Sequence, residues 1–129
     1  MGENALAYHL ADLLYQFTIS QNSSLAQRKN LIASIFANIE TRLRDEFERD
    51  EELNKELKEL KRRVNTLHET YEIILDLSPY VFEKKILYEI YLYDVYSSCL
   101  RWIDDYDLVS PRVLEEVYAS RWGGRDDWR

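Results

Sequence analysis

Two histidines, one cysteine and a large supply of carboxylates are the side chains of this 129-residue sequence that could carry chemistry. His9 precedes Asp12 by three residues and His68 precedes Glu72 by four, spacings that let each pair touch along a helix. One such pair does not make a metal site. Structural zinc takes about four Cys and His ligands, more than His9, His68 and Cys99 can supply unless subunits share the ion. Di-iron bundles need Glu-x-x-His on two helices, but Leu6 and Asn65 occupy the positions three before the histidines. A phosphate-cradling glycine loop is also missing, since Gly123-Gly124 is the only glycine cluster and no strand pattern precedes it. Cys99 falls on an apolar stripe, where a thiol is expected to be buried and inert rather than nucleophilic. Neither a metal nor a cofactor is expected.

One spacing does carry a catalytic meaning. The segment Arg63-Val64-Asn65-Thr66-Leu67-His68 separates an arginine from a histidine by four residues. It resembles the active-site motif of the HEPN family of RNases, which are small, all-helical and often dimeric. The resemblance implies that Arg63 and His68 pair across a dimer cleft and assist metal-independent RNA cleavage. It covers six residues in the middle of the chain, whereas the family carries its motif towards the C-terminal part of the domain. On a straight helix, positions five apart point about 140° away from each other. There Arg63 and His68 would flank the apolar positions Val64 and Leu67, where long polar side chains are normal.

The elements that must position these groups are helices. Gly2 is followed by no glycine until Gly123, and Pro79 and Pro111 are the only prolines. Folds of short strands need frequent turns built from such residues, so their scarcity predicts long helices. A first helix is expected over 3–17, with Leu6, Leu10, Leu13 and Phe17 spaced 4-3-4. Residues 18–23 should form a loop, and Ser23 or Ser24 should cap the second helix. Further on, Leu53, Leu57, Leu60, Val64, Leu67, Tyr71 and Ile74 alternate by four and three, the pattern of a coiled-coil seam. Leu25, Ile32 and Ile39 share its heptad register, with only Glu46 and Asp50 interrupting. Two arrangements follow. Residues 24–77 form one helix about 80 Å long, or the chain reverses near 49–54, where Asp50-Glu51-Glu52 has the acid-first order of a helix start. Ordinary helix lengths make the hairpin the preferred arrangement.

Leu77-Ser78-Pro79 and Val109-Ser110-Pro111 announce the last two helices in the same way: Ser caps, Pro takes the first helical position, and the preceding apolar residue packs back on the helix. The first of these helices, over 79–106, is apolar on two sides. One stripe is Phe82, Ile86, Ile90, Tyr93, Leu100 and Ile103; the other is Tyr88, Leu92, Val95, Cys99, Trp102 and Tyr106. A surface helix needs a single stripe, so this helix is central in its bundle or lies at a subunit interface. Leu100 and Trp102 are both expected in packed surroundings. Tyr88, Leu92, Val95, Trp102 and Tyr106 are the candidate interface residues, because Tyr and Trp bring large area at low entropy cost. Tyr118, Trp122 and Trp128, interleaved with Arg121, Arg125 and Arg129, form a second candidate at the C-terminal end.

The expected fold is all-α: an elongated antiparallel helical bundle with a coiled-coil section, about five helices, or four if 24–77 is continuous. Residues 1–122 are expected to form a single helical domain and 123–129 a flexible C-terminal tail. The formal net charge is −7. The only dense basic patch, Lys58, Lys61, Arg62 and Arg63, has Glu56 and Glu59 beside it. Counterion release from nucleic acid needs clustered cations, so direct nucleic-acid contact is disfavoured. No apolar run is long enough for a membrane span, the N-terminal residues do not read as a secretory signal, and a lone cysteine fits a reducing compartment. These features point to a cytoplasmic, non-catalytic protein–protein interaction module. It would be a self-associating adaptor, assembly or regulatory subunit that forms a homodimer and binds at least one other protein. The alternatives are a small HEPN-like RNase and an accessory subunit of a nucleic-acid-processing complex.

Overall fold

The structure, a computed structural model, describes residues 2–76 and 81–122, with side chains for most of them. Its regular elements are six helices: α1 (Gly2–Thr18), α2 (Leu25–Arg42), α3 (Arg44–Arg49), α4 (Glu51–Asp76), α5 (Val81–Asp105) and α6 (Pro111–Trp122). The all-α bundle expected from the breaker-poor sequence is what forms. At the start of α2, Ser24 Oγ accepts from the Gln27 N–H at 3.2 Å while Gln27 Oε1 accepts from the Ser24 N–H at 3.3 Å. This reciprocal box satisfies two amide groups that the first turn leaves without helical partners.

Residues 24–77 do not form one rod. Leu43 departs from helical geometry at φ −103°, ψ 16°, which separates α2 from the short α3. Asp50 is extended at φ −120°, ψ 110°. Its Oδ1 accepts from the N–H groups of Glu52 (3.0 Å) and Leu53 (3.2 Å), so the residue whose extended backbone ends α3 also caps α4 with its carboxylate. α4 then returns along α2, and Lys61 Nζ comes within 3.3 Å of Glu40 Oε2. The hairpin reading holds, with an additional break at Leu43 that raises the helix number to six among the described residues. The heptad register concealed that break because Leu43 and Phe47, 2% and 5% exposed, keep filling the core across it.

On α4, Leu53, Leu57, Leu60 and Leu67 are buried and Val64 partly so. They pack within this chain, since α4 lies against α2 and α5. Tyr71 and Ile74 continue the seam in sequence, but their side chains lie outside the described residues. α5 closes on Asp107, whose φ of 50° is a left-handed position where glycine is usual. The Leu108 N–H reaches back to the Ile103 carbonyl at 3.0 Å, and Arg42 donates to the Leu108 carbonyl. Ser110 Oγ then accepts from the Val113 N–H at 3.2 Å to begin α6 at Pro111. The matching cap at Ser78-Pro79 and the residues of 123–129 lie outside the described residues.

α1 is flanked by α2 and α6, and α5 by α2 and α4. One polar assembly ties three of these elements together. Arg28, 7% exposed on α2, donates Nε to Ser20 Oγ at 3.2 Å, ion-pairs with Glu89 of α5, and lies with its guanidinium 4.7 Å from the Phe17 ring centroid. A buried guanidinium is tolerated here because its Nε and Nη1 groups have hydrogen-bond partners and one face lies over an aromatic ring. Among the described residues, no helix is long and apolar enough to cross a membrane.

Candidate functional site

α5 presents its two apolar stripes to different surroundings. Tyr88, Leu92, Val95, Cys99 and Trp102 are at most 2% exposed and form the centre of the core. Trp102 Nε1 donates to Glu56 Oε2 at 2.9 Å, and its ring lies 5.5 Å from that of Phe47. The assignment of Tyr88, Leu92, Val95 and Trp102 to an intermolecular surface is therefore corrected: the chain's own α2 and α4 cover them. Tyr106, 37% exposed, sits just beyond the C-terminus of α5. Partial burial, followed by the nearby Asp50, Glu56, Asp105 and Glu46 carboxylates, holds its phenol above the ordinary range.

The other stripe faces outward. Ile90 is 59% exposed, Tyr93 67% and Leu100 39%; only Ile103 of its described members is buried. The expectation that Leu100 is packed like Trp102 is corrected as well. Positions 90, 93, 97, 100 and 104 follow one another at 3-4-3-4 along a single helix face. The signal that could have marked this stripe as the outer one is its own membership. Between the apolar members read from spacing, the same face carries Ser97 and Asp104, whereas Tyr88-Leu92-Val95-Cys99-Trp102 contains no charge. Tyr96 borders the stripe, stacked on Phe17 with centroids 4.3 Å apart and 6.4 Å from the Tyr93 ring. Asp94 and Arg101 border its other side; Asp94 accepts from Arg63 at 2.8 Å and Arg101 donates to Glu56 at 3.3 Å.

Of the two catalytic candidates, Arg63 is the one whose side chain is described. Arg63 is held between Asp94 and Glu59, whose carboxylate lies 3.5 Å away. Arg62 donates to the same Glu59 at 2.6 Å, and this pairing, chiefly with Arg62, keeps the Glu59 carboxyl below the ordinary range. The 380 Å³ cleft lined by Arg62, Arg63, Thr66, Tyr91 and Asp94 thus has its two cations matched by carboxylates. His68 lies on α4 with its side chain outside the described residues. His9 is exposed on α1. Burial pushes the Cys99 thiol up to about 12, which leaves it protonated and unreactive at neutral pH. No group of three potential metal ligands occurs among the described residues.

At the C-terminal end, Tyr118 is half-buried, its ring edge-on to Tyr15 of α1 at 5.1 Å, so it closes α6 onto the bundle. Trp122 ends α6 with its side chain outside the described residues, where Trp128 also lies. No protein-family model matches this chain, and neither a curated protein nor a solved structure does.

Proposed function

We propose that this chain is a non-catalytic protein–protein interaction module of the cytoplasm, an adaptor, assembly or regulatory subunit whose working surface is the outer face of α5. One observation carries the reading: Ile90, Tyr93 and Leu100 lie in line on one helix face and are 39–67% exposed. Scattered exposed apolar residues are ordinary, but aligned large ones bordered by charge have the composition of an interface. The chemistry-bearing groups favour the same reading. The Cys99 thiol is sealed in the core, and Arg63 is engaged by two carboxylates.

The test compares the full chain with its Tyr93→Asp variant as baits in native extract, with structured and single-stranded RNA incubated in parallel. The expected result is a partner retained by the unmodified chain, lost with Tyr93→Asp, and RNA left intact. Equal capture by both baits would overturn the reading. So would RNA cleavage that disappears in an Arg63→Ala, His68→Ala double variant.

A further inference from the structure

We infer that the occupant of the outer α5 face is a second copy of this chain, its α5 running antiparallel across the two-fold axis of a homodimer. The inference rests on the interaction reading and names its partner. A symmetric dimer needs a surface complementary to itself, and the charges along α5 have that property. Asp94 and Arg101 stand seven residues apart on the same border of the stripe, one negative and one positive. Turning one helix end over end therefore sets Asp94 of each copy beside Arg101 of the other, giving two identical ion pairs.

The interior of the stripe fits the same register. In antiparallel helix pairing, the two kinds of seam position face each other in layers, and residues on one border meet their counterparts. With the axis near residues 98 and 99, the small Ser97 of one copy receives Leu100 of the other. Tyr93 comes opposite Asp104, which can accept from its phenol, and the half-buried Tyr96 borders the far side of the seam. A parallel pairing would instead bring Glu89 towards Asp94, a like-charge contact that costs affinity. Asp94 and Arg101 keep their exposed intrachain partners Arg63 and Glu56, so the new contacts extend two ion pairs into networks. Such rim charges select register and orientation, while the apolar stripe supplies the affinity.

Mass by sedimentation equilibrium or light scattering, measured across micromolar to submillimolar concentrations of the full chain, tests this directly. The expected result is a monomer–dimer equilibrium in which Tyr93→Asp and Leu100→Asp each weaken association by at least about tenfold, with helical circular dichroism unchanged. Asp94→Arg alone and Arg101→Asp alone each place two like-charge contacts at the interface and should shift towards monomer. Mixed in equal amounts they should form a dimer, because the antiparallel heterodimer has both contacts attractive again. A mixture no heavier than its components would overturn the antiparallel arrangement, and a dimer indifferent to Tyr93→Asp would overturn the surface. A concentration-independent monomer would overturn the second copy as occupant. If extract capture stayed sensitive to Tyr93→Asp in that case, the interaction reading would stand while this inference fell.

Discussion

α4 and α5 are nearly equal in length, 26 and 25 residues, and pack side by side, yet they treat water differently. α4 turns a narrow leucine seam inward and sets charged side chains on its outside. Arg62 pairs with Glu59 at 2.6 Å and Lys55 with Glu52 at 3.8 Å along its surface. α5 is apolar inside and apolar again outside at Ile90, Tyr93 and Leu100. Once the fold is made, water fully satisfies the outer face of α4, and burying that face would require desolvating ions for little return. The outer face of α5 stands to gain from being covered.

The contrast between the two faces of α5 can be broken most forcefully at Trp102. Trp102→Ala should destabilise the chain by about 3–5 kcal/mol in denaturant unfolding, since it removes a buried ring and its bond to Glu56. Next comes the polar lock between α2 and α5. Arg28→Ala leaves Ser20 and Glu89 without their partner and should cost about 2–3 kcal/mol, discounted because Glu89 is partly exposed. On the outer face, Leu100→Ala should cost less than about 1 kcal/mol at concentrations where the chain is monomeric, and Tyr93→Ala less still. Losses at Leu100 equal to those at Trp102 would erase the distinction between the faces. The smallest effect belongs to the surface of α4, where Glu52→Ala should fall within about 0.5 kcal/mol.

Cys99 sharpens the same comparison by chemistry. Its thiol is raised from 9.0 to about 12 by burial, so the folded state keeps it protonated. The stability linked to this group is fully present below about pH 9. It declines as pH rises towards 12, because the unfolded chain ionises first. A thiol reagent at pH 8 should label native protein at the rate of its opening and denatured protein at once. Rapid native labelling would mean that the inner face of α5 is not sealed.

Much of the architecture was legible in the order of residues because local rules wrote it. The lack of Gly and Pro between Gly2 and Pro79 dictated helices, Ser24 and Ser110 marked starts, and the acidic run at Asp50 marked the reversal into α4. The break at Leu43 was not legible, because a buried leucine at a helix junction has the same type and spacing as one inside a helix. The site was legible only in part. Both stripes of α5 could be read from spacing, but their assignment to core and surface was reversed at Tyr88, Leu92, Val95 and Trp102.

The sequence by itself determined that this chain is helical, where α2, α4 and α6 begin and that α5 is apolar on two sides, since each depends on residues within a few turns of one another. Only the tertiary structure decided which stripe the protein keeps for itself. That choice depends on where α2 and α4 come to rest against α5. The partners that settle it, Glu56 for Trp102, Arg63 for Asp94 and Arg28 for Glu89, stand 46, 31 and 61 residues away along the chain. Periodicity along one helix records how apolar each side is, not which neighbour reaches it first.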